Sequence, residues 1–125
     1  MALLKLPAHR LTGNYTPDLV VDVNVDSVTL LNAFYAVTGQ FVQVYIAAQI
    51  DPTAAGFVSF TASLPFGMDV IAESDCIGTA GTKGSPTVGG TVAGLVSANT
   101  VHITAQLNST APAAVFFHFA YILNT

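Results

Sequence analysis

Charge is what this chain has least of. Only 8% of its 125 residues are charged, three Lys or Arg and seven Asp or Glu, for a net charge of −4. An average soluble domain carries roughly 25%. Binding a nucleic-acid backbone needs clustered Lys and Arg, and Lys5, Arg10 and Lys83 stand far apart, so no nucleic-acid partner is expected. Tryptophan is absent and cysteine occurs once, at Cys76, which excludes an intrachain disulfide and a cysteine-based zinc site. No apolar run reaches the ~18 residues that span a bilayer as a helix, so no membrane partner is expected. The opening MALLKLPAHRL is interrupted by Lys5 and Pro7 and lacks the apolar core of a secretory signal. Synthesis in the cytoplasm, without cleaved export, is the expectation. Helical periodicity is missing too, because no window repeats apolar residues at i, i+3 and i+4.

What is present is strand pattern. Hydrophobic residues make up 52% of the chain, and β-branched and aromatic side chains favour strands throughout. The stretch FYAVTGQFVQVYIAAQIDPT, residues 34–53, organises the rest. It predicts a β-hairpin turning at Thr38-Gly39-Gln40, whose second arm puts Val42, Val44, Ile46, Ala48 and Ile50 on one face. Phe41, Gln43, Tyr45, Ala47 and Gln49 fall on the other. Leu19–Asp26 alternates valines with Asp22, Asn24 and Asp26, which predicts a half-buried strand. Further strands are expected at residues 28–37, 57–64, 91–97, 101–107 and 113–123, with a short one near Cys76. Gly67–Gly90, rich in Gly, Ser, Thr and Pro, is expected to be mostly loop. Residues 1–13 are expected to form a short N-terminal arm and 14–125 a single domain. The resulting fold class is all-β, a jelly-roll β-sandwich of about eight antiparallel strands.

Motifs for chemistry are weak. Asp22-Val-Asn24-Val-Asp26 opens like a calcium loop, but Ser27 and Ala33 occupy the positions that need Gly and Glu. Asp69, Glu73 and Asp75 form a weaker cation candidate. The glycine-rich stretch reads Lys83-Gly84-Ser85, the wrong order for a phosphate loop. His9, His102 and His118 show neither H-x-H spacing nor a G-x-S-x-G partner. No metal, no cofactor and no enzymatic activity are therefore expected. His102 is expected on the polar face of its strand. His118 shares a face with Phe116, Ala120 and Ile122, as a packed or interfacial residue.

Several segments in order carry a resemblance. They are Asn14-Tyr-Thr-Pro17, Val37-Thr-Gly-Gln-Phe-Val42, Ile50-Asp-Pro-Thr53, Ser63-Leu-Pro65, Cys76-Ile-Gly-Thr-Ala80 and Phe117-x-Phe119-x-Tyr121. Together, from about Gly13 to Ile122, they resemble a jelly-roll module of tailed-phage virions, found at tail-fibre tips and in capsid-decorating or cementing proteins. Gln40 departs from that pattern, standing where such hairpins carry Asn. The resemblance implies a protein of the capsid exterior, since the short leader suits decoration better than a fibre. Its partners would be the major capsid protein and further copies of itself, trimers first and dimers second. Leu3, Leu4, Leu6 and Arg10 are the expected capsid-docking residues. Phe41, Tyr45 and His118 are the expected oligomer contacts, aromatics being common interface anchors. The rival expectation is a receptor-binding module for a host-surface glycan, with Gly78–Gly90 as its loop.

Overall fold

The computed structural model describes residues 10–66, 76–82, 88–94, 99–107 and 110–123. Within them the regular elements are β1 (Arg10–Asn14), β2 (Leu19–Val21), β3 (Val25–Thr38), β4 (Phe41–Pro52), β5 (Gly56–Ser63), β6 (Cys76–Thr82), β7 (Val88–Gly94), β8 (Thr100–Leu107) and β9 (Ala113–Ile122). No helix occurs among the described residues. All neighbours pair antiparallel in one nine-stranded sheet of order β1-β3-β4-β9-β6-β7-β8-β5-β2. Three pairings nest along the chain: β6 with β7, β5 with β8 outside them, and β4 with β9 outside both.

The β3–β4 hairpin forms where the pattern places it. Thr38 pairs with Phe41, leaving Gly39 and Gln40 as the turn. Gly39 has φ 62°, and a two-residue hairpin turn of the II′ kind demands positive φ at that first position. Along β4, Val42, Val44, Ile46, Ala48 and Ile50 are buried while Phe41, Gln43, Tyr45 and Gln49 are exposed. The strands expected at 57–64 and 101–107 form as β5 and β8, with Val58, Phe60, Ala62, Val101, Ile103, Ala105 and Leu107 facing inward. The one expected at 91–97 is instead β7, Val88–Gly94, and 95–97 lie outside the described residues.

The sheet curls around these side chains. Phe60 of β5 meets Phe117 of β9 edge to face, with centroids 5.6 Å apart, although the two strands are not neighbours in the sheet. Phe60 and Phe119 are completely buried, and each side chain of this size contributes on the order of 1.5–3 kcal/mol by leaving water. Two tyrosines fasten the curl, Tyr15 between β1 and β2 and Tyr121 within β9. Tyr15 donates to the Ser63 carbonyl, and the Tyr121 hydroxyl donates to the Phe66 carbonyl while accepting from its amide.

Two expectations change. Of the arm expected over residues 1–13, Arg10–Gly13 are strand, paired with Tyr35–Thr38 of β3. The expected single strand from Leu19 to Asp26 is instead a corner. β2 ends at Val21 and pairs with β5, whereas β3 begins at Val25 and pairs with β4. Val21 and Val23 are exposed. Asn24 sits at φ 60°, a left-handed conformation that Asn tolerates better than most residues. Its side chain donates to the Ala54 and Phe57 carbonyls at 2.7 and 3.2 Å and accepts from the Ala54 amide at 2.9 Å. Period-two alternation thus ran across a chain reversal, because the local pattern does not encode which partner each half pairs with.

Replacing Asn24 separates backbone from side chain. Asn24→Gly keeps the conformation and loses three hydrogen bonds; Asn24→Ala loses both, and denaturant titration should place it lowest, about 1–3 kcal/mol below the parent. The tyrosines predict an alkaline limit. Burial first, then the nearness of Tyr121, holds the Tyr15 phenol well above its usual range. Burial likewise pushes Tyr121 up to about 12, against the opposing pull of its bond with Phe66. The folded chain therefore keeps protons that an unfolded one releases near pH 10. Their contribution is intact below about pH 10 and falls as pH rises towards and through 12. Urea midpoints across that range should drop, and the drop should be shallower for Tyr121→Phe.

Candidate functional site

Among the described residues, the outward side of β3, β4, β9 and β6 is an unusual surface. Residues directly opposite in an antiparallel ladder point the same way, so the register defines its rows. Thr38, Phe41 and Ile122 form one; Ala36, Gln43, Ala120 and Ile77 the next. Phe34, Tyr45, His118 and Thr79 follow, then Asn32, Ala47, Phe116 and Gly81. The sequence places no Asp, Glu, Lys or Arg anywhere in residues 31–38, 41–50, 76–82 or 113–122. The first carboxylate met on this side is Asp51, at the far end of β4.

The third row is a ladder of flat rings. Phe34 and Tyr45 stack with centroids 5.1 Å apart and planes 18° from parallel. Tyr45 and His118 continue it at 5.7 Å and 17°. These rings stay open to water: Phe34 is 43% exposed, Tyr45 37% and Phe116 46%. Beside the ladder lies a groove of about 420 Å³, lined by Asn32, Phe34, Tyr45, Thr79, Phe116 and His118 among others. At its rim the register of β3 slips between Leu30 and Asn32. Such bulges re-aim neighbouring side chains; here the slip returns Asn32 to the outer face opposite Ala47 and leaves Leu31 exposed.

The surface can bind uncharged or apolar partners by burial against the rings, with amide, hydroxyl and imidazole groups to orient them. The structure brings Tyr45 and His118 together and places Phe41 on the same side, two rows away beside Ile122. Arg10 opens β1 opposite Thr38. Leu3, Leu4 and Leu6 lie outside the described residues, as do His9, Asp69, Glu73 and Asp75. Phe34, Asn32, Thr79 and Ile77 belong to the same surface, and no sequence motif marks them. A two-residue turn at Gly39-Gln40 already sets Phe34 against Tyr45 by counting outward; no local signal pairs β6 with β9.

Two other candidates resolve into packing. Asp22 accepts from Ser59 Oγ at 2.9 Å and meets His102 Nε2 at 3.0 Å through the same carboxylate oxygen. Ser59 is fully buried, its Oγ also accepts from the Val23 amide, and its proton goes to Asp22 rather than to a histidine. The trio ties the corner to β5 and β8. Asp26 accepts from the Thr53 hydroxyl, so the Asp22-Asn24-Asp26 segment is hydrogen-bonded into the fold rather than lying along a solvated strand. Among the described residues no group of three His, Cys, Asp or Glu side chains could hold a metal ion.

The expected loop Gly78–Gly90 is corrected in part. Residues 78–82 belong to β6 and 88–90 to β7, while 83–87 lie outside the described residues. Glycine serves close approach there: a Cβ on Gly78 would run into the His118 carbonyl, and one on Gly90 into the Thr104 carbonyl. Gly78→Ala should therefore cost on the order of 1–3 kcal/mol and shift the ring resonances of Tyr45 and His118. At Gly81 an added Cβ meets nothing within 4 Å, and Gly81→Ala should stay within about 0.5 kcal/mol of the parent. Denaturant titration and aromatic NMR spectra of the two variants check this.

No family model, curated protein or solved structure matches the chain significantly.

Proposed function

We propose that the chain is a structural protein of a tailed-phage virion, a decoration or cement protein that sits on the outer capsid surface as a homo-oligomer and reinforces it. The observation that carries this reading is the uncharged aromatic face. A domain working alone in water rarely exposes a broad apolar patch, whereas assembly surfaces are depleted of charge and enriched in aromatics. The nested pairing of β4–β9, β5–β8 and β6–β7 supports a jelly-roll topology, and the order of motifs from Gly13 to Ile122 supports the virion setting.

In this reading Leu3, Leu4 and Leu6, with Arg10, dock onto the major capsid protein. The strand they lead into is the outermost of the sheet, which suits a segment that reaches away from its own domain. Each oligomer bridges neighbouring capsid subunits, so expansion of the shell must break these contacts as well. Many weak sites add up through multivalency.

One observation favours a second reading, adhesion to a host-surface glycan. The groove beside Tyr45 and His118 has the volume of a small-molecule site, aromatic rings in its wall, and polar groups at Asn32 and Thr79. Co-sedimentation with undecorated capsids, and in parallel with host cells, separates the two. The expected result is saturable pelleting with capsids, lost when Leu3, Leu4 and Leu6 are all changed to Ser. Pelleting with cells alone would move the function to adhesion.

A further inference from the structure

We infer that the outer face of β3, β4, β9 and β6 packs against the same face of a second copy, across a two-fold axis that passes beside Tyr45. This rests on the reading of that face as an assembly surface and names its occupant.

Size is the first argument. Four strands about 4.8 Å apart, with ten residues of β4 rising about 3.4 Å each, span roughly 19 by 34 Å. That outline, which takes in the polar Gln43, Gln49, Asn32 and Thr79 as well as the rings, approaches the roughly 800 Å² per partner of a stable interface. Charge is the second. The chain carries a net charge of −4, yet two copies meeting here bring no carboxylate into the contact. Asp22 is held by Ser59 and His102, Asp26 by Thr53, and Asp51 lies at the rim. A basic or acidic partner would find no counter-charge and would leave its own charges desolvated. A second copy brings charge only at the margins, Arg10 in register with Thr38 and Asp51 at the far end of β4.

Shape is the third. The rings of Phe34, Tyr45 and His118 stack on one another into a continuous ridge, and sheets pack face to face about 10 Å apart with their side chains interdigitated. The exposed Phe116 and Phe34 line the groove on the same molecule, so projections and depression are both available for an isologous contact. A three-fold arrangement would instead set this face against a different patch of the next subunit.

Sedimentation velocity on the purified chain, without capsids, tests the pairing separately from shell binding. A concentration-dependent dimer is expected. Tyr45→Glu and Tyr45→Lys should each weaken self-association at least about a hundredfold, because a buried unpaired charge costs several kcal/mol. Their circular dichroism should stay that of the parent, since Tyr45 points outward. Mixing the two variants should restore the dimer, because the axis sets residue 45 of each copy against the other. Phe116→Glu provides a second disruption of the same face. Phe57→Glu, on β5 and 52% exposed, should leave the dimer intact. A parent chain that is monomeric or trimeric, a Tyr45→Glu chain that remains dimeric, or a variant mixture that stays monomeric would each overturn the two-fold pairing. A dimer that fails to bind capsids would leave the pairing standing and remove only the capsid reading.

Discussion

The structure depends on β4 being paired along both edges. β3 runs along one side and β9 along the other, so the backbone of the longest alternating strand meets neither water nor another chain. Unpaired edges of such a strand would template aggregation. With both edges satisfied, only its two faces remain to be dealt with, and their chemistries differ. Branched aliphatic side chains fill the inside of the curl. Rings, amides and alanines cover the outside. Burial of one face fixes which residues appear on the other, because a slip of one residue would exchange the two sets.

The rest of the fold holds that arrangement in place. The corner at Asp22–Asn24 lets one stretch of chain serve two ends of the sheet, and it is secured by side chains rather than by ladder bonds alone. Ser59 and Asp22 join it to β5, Asn24 to the β4–β5 turn. Gly78 lets β6 come close enough to β9 for Thr79 to lie opposite His118. The tyrosines at positions 15 and 121 pin the segments around Ser63 and Phe66. Rigidity of this kind keeps three rings near parallel on an open surface, where isolated side chains would sample several rotamers.

An uncharged, ring-covered face costs solubility while it is exposed. The proposed pairing would cover it, which would link the composition of the chain to assembly. The same rings that suit a second copy also suit a sugar, so the choice between partners rests on area and charge: the whole face is far larger than one groove, and Asp51 and Arg10 stand only at its margins.

By itself the sequence determined the strands whose two faces differ. Period-two alternation in β4, β5 and β8 reports burial directly, and Gly39 marks its turn because few residues accept positive φ. Tyr45 and Phe41 could be assigned to the outer face, and His118 to the face of Phe116, from the same period. The glycines of β6 and β7 misled, since lack of a side chain signals a loop and a close approach of backbones equally. Asp22–Asp26 misled because a period of two persists through a corner. Only the tertiary structure decided that Tyr45, His118, Phe34 and Thr79 form one row. β4, β6 and β9 are far apart in sequence, and no local energy term records which strand will lie beside which; that follows from closing the curl around a common core.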